Sequence, residues 1–220
     1  MIPCAFFSDG LCVETMENHI KKGLEFVEGL YLNRKYNEFL AGVLEIEPEI
    51  AGDLLRKAYA PHDIGKCLEV FQLRRRGFGF HEFYSFLVAR EVFKKFEKSG
   101  RIASVAILLH HHDWIRNRSP PKPENPKLCE ECLLLLEDIT KEKLPREILW
   151  VEPKVAYSEA EGIFRENLRG VYALLLPIVV ADNYSAVVNR KGKKTTLGME
   201  IFDVLGVRRW DFARDFSGGL

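Results

Sequence analysis

Net charge is the first thing this sequence lacks. Its 32 lysines and arginines balance 32 aspartates and glutamates, so no whole-molecule field draws the chain to a polyanion, and any such site must be a local patch. Cysteine is scarce. The five present are odd in number and irregularly spaced, unlike a secreted disulfide framework, so a reducing cytoplasm is the expected setting. The opening MIPCAFFSDG has no basic stretch before an apolar core, and no signal peptide is expected. Apolar runs such as YALLLPIVVA fall short of the ~20 residues of a bilayer span, so no membrane partner is expected. No P-loop pattern occurs, so these residues encode no nucleotide-driven motor. Period-two alternation, the mark of half-buried strands, is nearly missing too.

Helical periodicity fills the chain instead. Val13, Met16, Ile20, Leu24 and Val27 recur at three- and four-residue steps and predict one face of an amphipathic helix. Residues 48–60 predict a second, opened by Pro48 and closed by Pro61. Residues 81–98 predict another, stopped at Ser99–Gly100. The segment RIASVAILLHHH (101–112) is apolar on most sides, which predicts a central buried helix, and residues 128–142 predict one more. Ser158 with Glu161 matches a capping box, opening a long helix through 167–188 that Pro177 should kink. The expected architecture is all-α. It is a single domain over 1–220, with a motif-bearing core at about 13–190 and a C-terminal extension (191–220) without recognisable chemistry. Three segments interrupt the helical pattern: RRRGFGF (74–80), the Pro-rich 116–127, and NRKGKK (189–194).

Half of the six histidines sit together as His110, His111 and His112, at the end of an apolar run. Imidazole is costly to bury unless each ring nitrogen has a partner, and a metal ion is one such partner. The others fall at His19, His62 (followed by Asp63) and His81. Asp182 lies in the apolar string LPIVVADNYSA, where a bare carboxylate is unfavourable unless neutralised. Imidazoles with a few carboxylates suit divalent transition metals. A water held on such a metal is a nucleophile at neutral pH.

In this order the residues resemble the HD-domain metal-dependent phosphohydrolases: His19 in ETMENHI, HDIGK at 62–66, HEFYS at 81–85, AILLHH at 106–111, and Asp182 in ADNYSA. Within that superfamily the likeness is greatest to the stand-alone CRISPR-associated HD nucleases of type I systems. Pro61, just before the HD pair, departs from the apolar residue more usual there. The resemblance implies an HD-type helical bundle with a central metal site. His19, His62, Asp63 and Asp182 would hold one divalent ion. His81, His110 and His111, with Asp63 bridging, would hold a second, each ion being Mn, Ni, Co or Mg. His112 would be a neighbour of the site. Asp63 and Lys66 would be catalytic, Lys66 as a fixed positive charge on a phosphate oxygen. Glu82 and Ser85 would support the site or contact phosphate.

The loop carrying Arg74, Arg75 and Arg76 could guide a nucleic-acid backbone, with Phe78 or Phe80 stacking on bases, or be a solvated turn with two tucked aromatics. Cys129 and Cys132 have zinc-site spacing but no second pair nearby, and read as structural. The implied function is a metal-dependent nuclease of single-stranded DNA in CRISPR interference, partnered by a separate helicase and effector-complex subunits. The alternatives are an HD phosphohydrolase of nucleotides or cyclic dinucleotides, and a non-catalytic metal-stabilised docking module.

Overall fold

The chain begins with a β-hairpin rather than a helix. The computed structural model describes residues 2–111 and 119–190. Strands β1 (Cys4–Ser8) and β2 (Leu11–Thr15) pair antiparallel. Asp9 and Gly10 turn between them at positive φ, 53° and 77°, the combination a two-residue hairpin turn needs. Val13, expected on the buried face of a helix, is instead an exposed strand residue. Helix α1 (Met16–Phe26) starts only after the hairpin, where Thr15 accepts a hydrogen bond from the Asn18 N–H at 3.2 Å.

Helices follow: α2 (Tyr36–Leu44), α3 (Pro48–Tyr59), α4 (Glu69–Arg74), α5 (His81–Val92), α6 (Glu97–Leu109), α7 (Glu130–Thr140), α8 (Pro153–Glu166) and α9 (Leu168–Asn189). Beyond the hairpin this is an all-α bundle. The stop expected at Ser99–Gly100 falls inside α6. The break comes earlier, in a 3-10 turn at Phe93–Phe96, and Gly100 is required for space. A Cβ there would lie 2.1 Å from the Phe93 carbonyl oxygen. Ser158 and Glu161 do not open the long helix either. They lie within α8, which starts at Pro153, and Asn167 (φ −130°) separates α8 from α9.

Helices α6 and α9 form the centre. Ile102 to Leu109 of α6 are buried without interruption, as the all-round apolar pattern requires. Helix α9 packs on α1, α2 and α6. By length and composition it could cross a membrane, contrary to the reading of its apolar run as too short, but most of it is buried within the protein. Pro177 lies inside α9 and has no N–H to give the carbonyl of Ala173, four residues back. The Tyr36 hydroxyl donates to that carbonyl at 2.8 Å, so α2 repairs the gap in α9.

The cysteines also depart from expectation. Cys4 pairs with Cys12 across the hairpin, and Cys67 pairs with Cys132 at the start of α7; Cys129 is free and buried. Irregular spacing concealed the pairs because tertiary packing, not sequence separation, brings these residues within bonding distance.

Candidate metal centre

The HDIGK segment is the hub. After α3 the chain turns through His62 and Asp63 into a 3-10 turn (Ile64–Cys67), which lies directly against the start of α5. A Cβ at position 65 would meet the His81 carbonyl oxygen at 2.1 Å, so only glycine permits this approach. The Gly65 N–H donates to Ser85 Oγ at 2.8 Å, holding α5 and the HD turn together. Phe80, in the left-handed region (φ 61°), swings the chain into α5 so that His81 faces Asp63.

Asp63 stands between two groups of histidines. Its Oδ2 lies 3.2 Å from His19 Nε2, 3.6 Å from His62 Nε2 and 2.5 Å from Lys66 Nζ. Its Oδ1 lies 3.1 Å from His81 Nε2 and 3.6 Å from His110 Nε2. Asp182, brought in by α9, places Oδ1 3.1 Å from His19 Nε2 and 3.6 Å from His62 Nε2. His81 Nε2 and His111 Nε2 are 3.0 Å apart. Ligand atoms of His19, His62, Asp63 and Asp182 all lie within 4.8 Å of one another, as do those of Asp63, His81, His110 and His111.

The other ring nitrogens fix the tautomers. His62, His81 and His110 each direct Nδ1 at the carbonyl three residues back: Tyr59 at 2.6 Å, Phe78 at 2.7 Å and Ile107 at 2.6 Å. A carbonyl only accepts, so each Nδ1 carries a proton, and in the neutral ring the Nε2 lone pair faces the cluster. Nε2 of His19, His62 and His110, with Asp63 Oδ1, are buried without hydrogen-bond partners. Buried polar atoms left so are rare and costly. A divalent cation in each of the two ligand groups would satisfy them, so the donor set fits metals of intermediate hardness.

The electrostatics agree. Burial opposes charge on Asp63, but Lys66, His62, His110 and His19 outweigh it and hold the carboxyl well below its usual range. Asp182 behaves likewise beside His19 and His62. Burial opposes protonation of His19, yet Asp182, Asp63 and Glu14 raise its pKa well above the ordinary value. Two buried carboxylates thus demand positive charge here. For His62 burial prevails and the pKa falls. His111 keeps one edge open to solvent, yet enclosure by protein atoms and the adjacent His110 and His81 push it down to about 2. It stays a neutral donor.

The profile of the HD domain family matches residues 31–143. The chain belongs to the HD domain family. It is accordingly an HD-type metal-dependent hydrolase. The matched span includes His62, Asp63, His81, His110 and His111, while His19 and Asp182 reach the HD centre from outside it on α1 and α9. The chain is also similar to the CRISPR-associated endonuclease Cas3-HD of Pyrococcus furiosus. The two are 25% identical over 218 residues, covering 82% of this chain and 91% of that one.

The HD centre contains residues that its motifs do not announce. Glu14, buried on β2, lies 2.8 Å from His19 Nδ1 through Oε1, and Ser185 Oγ lies 2.9 Å from the same nitrogen. Glu14 in turn accepts from Asn189 at 3.0 Å and Arg190 at 2.5 Å. A carboxylate on the far nitrogen of a metal-binding histidine fixes its ring and raises its basicity. Of the four histidines with a placed Nδ1 contact described above, His19 alone is held there by side chains.

Other expected residues fall as follows. Lys66 is buried against Asp63 and lines a cleft of about 310 Å³ together with His81, His111 and Asp182. Glu82 is buried with Oε2 3.6 Å from His81 Nδ1. Ser85 is fully buried and its hydroxyl accepts from the Gly65 N–H, so of its two expected roles it takes the supporting one. Arg74, Arg75 and Arg76 are exposed beyond the cleft. His112, Asp113 and residues 191–220 lie outside the described residues.

Proposed function

We propose that this protein is a nuclease that hydrolyses phosphodiester bonds of single-stranded DNA in CRISPR interference, working with a separate helicase and effector-complex subunits in the cytoplasm. The observation that carries the proposal is the sharing of buried Asp63 by two ligand groups, of which His81, His111 and Asp182 line an open cleft. A divalent metal bound there supplies a water of lowered pKa and charge for a phosphodiester transition state. Asp63 and Asp182 provide anionic ligands, and the backbone-fixed histidines present lone pairs without rearrangement. Lys66 puts a cation on the cleft wall where a phosphate oxygen would enter. The name of the Pyrococcus relative supports a nuclease over a nucleotide phosphatase.

The test is cleavage of end-labelled single-stranded DNA by chelator-treated protein, before and after restoring Mn²⁺, Ni²⁺, Co²⁺ or Mg²⁺ separately. Cutting that returns only with metal is the expected result. Full cutting without metal refutes the mechanism. Hydrolysis of mononucleotides or cyclic dinucleotides with no cutting of DNA transfers the centre to the nucleotide phosphohydrolases.

A further inference from the structure

The cleft has a lining that the metal ligands leave unexplained: the N-terminal hairpin, through Ala5, Phe6 and Phe7, joined by Phe78 of the 74–80 loop. Consecutive strand residues ordinarily face opposite sides. Here the β1–β2 pairing is irregular between Cys4 and Phe6 and again between Phe6 and Phe7, and both phenylalanines line the cleft. Such irregularities re-aim side chains and gather beside active sites. The Phe7 and Phe78 rings stack with centroids 5.5 Å apart and planes at 30°. The Arg190 guanidinium lies 4.2 Å from the Phe6 ring, and Lys66 Nζ lies 5.8 Å from the Phe78 ring.

This wall is anchored rather than floppy. Gln72 bonds both the N–H and the carbonyl of Cys4 at 2.9 Å and also the Lys66 carbonyl at 2.8 Å. It thereby fastens β1 to the HD turn. The Cys4–Cys12 disulfide closes the hairpin. Phe6, Phe7 and Phe78 are all only partly buried, so ring surface remains for a ligand.

We infer that the Phe6–Phe7–Phe78 wall is a nucleobase-stacking subsite, which takes an unpaired base while the adjoining phosphate lies toward His81, His111 and Lys66. An aromatic surface beside cations, in the same cleft as His81, His111 and Asp182, matches a nucleotide's division into π-face and phosphate. A cleft of about 310 Å³ is at the small end of ligand pockets and admits a single nucleoside unit, not a paired duplex. Strand selection would then reside in the wall: a base already paired in a helix has no face to offer. The inference rests on the nuclease reading and refines it.

The experiment measures binding of chelator-treated full-length protein to a fluorescent oligothymidylate and to an abasic phosphodiester chain of equal length. Stacking of one base predicts about five- to 150-fold tighter binding of the oligothymidylate. Phe7→Ala and Phe78→Ala should erase most of that preference while Phe7→Trp keeps it. Phe7→Leu, which retains apolar bulk without a π-face, should behave as the alanine variant and covers the case in which alanine unfolds the hairpin. Thermal melting of each variant verifies folding. Equal wild-type affinity for the two chains overturns the subsite and leaves the nuclease reading standing. Preference surviving in folded Phe7→Leu and Phe78→Ala variants does the same. Failure of the wild type to bind either chain overturns both.

Discussion

The two ligand groups around Asp63 share one carboxylate but are built differently. The inner group, His19, His62, Asp63 and Asp182, is wholly buried, while the outer group runs from buried His110 through half-buried His81 to the exposed edge of His111. Inside, the carboxylates are matched by imidazoles, and Glu14, Ser185 and Arg190 brace the set from α9 and the hairpin. Outside, the Nε2 atoms of His81 and His111 confront each other at 3.0 Å on the cleft wall. The contrast teaches that the inner group is part of the core, bound up with folding, whereas the outer group serves the cleft. Substitutions in the two should therefore have separable effects on stability and on chemistry.

The largest effect should come where the groups meet. Asp63→Ala removes an oxygen from each, and DNA cleavage should fall to the level of metal-free protein at every salt concentration. Cutting at the wild-type rate would refute the shared-ligand reading. Next comes the direct test of the contrast. His19→Ala removes the imidazole between Glu14 and Asp182, leaving Glu14 to Arg190 and Asn189 and Asp182 to His62, and should cost about 1–3 kcal/mol of stability. His111→Ala, at the cleft edge, should change stability by no more than about 0.5 kcal/mol while still impairing metal-dependent cleavage. Denaturant unfolding of chelator-treated protein measures both, and equal losses would erase the distinction. Smaller again is Glu14→Gln, which keeps the shape but removes the charge behind His19. Mn²⁺ affinity by calorimetry should drop about 10- to 100-fold, and an unchanged affinity would reduce Glu14 to a structural ion pair. Least affected of all should be Arg74→Ala/Arg75→Ala/Arg76→Ala. Metal binding should hold, while the dependence of DNA affinity on log salt flattens by about 0.7 per lost phosphate contact. An unchanged slope would make this loop a solvated turn.

Much of this was legible in the sequence, for reasons that differ by element. Helix α3 was readable because Pro48 and Pro61 bracket it, and α6 because nothing polar interrupts its centre. His62, Asp63, His110 and His111 stood out because their motifs are contiguous in sequence. Glu14 and Ser185 did not, since the partner of His19 Nδ1 is chosen by how β2 and α9 meet. The hairpin carried a readable signal, Asp9–Gly10 between two apolar runs, which the helical spacing of Val13 with Met16 and Ile20 obscured. Gly100 misled because glycine marks both helix ends and tight contacts, and only the Phe93 carbonyl decides between them. For Ser85 two roles stayed open for a related reason: its place in the motif says that a hydroxyl is needed, not which way it points.

The Tyr36 hydroxyl that stands in for the amide missing at Pro177 makes residues 36 and 177 epistatic. With proline present, Tyr36→Phe leaves the Ala173 carbonyl without a donor, at about 1–3 kcal/mol. In a Pro177→Ala background the helix supplies its own N–H, and the same tyrosine substitution should be nearly free. A double-mutant cycle by chemical denaturation would reveal the coupling as a departure from additivity. The order in which the two positions can change is thereby restricted: the proline must yield before the tyrosine can drift.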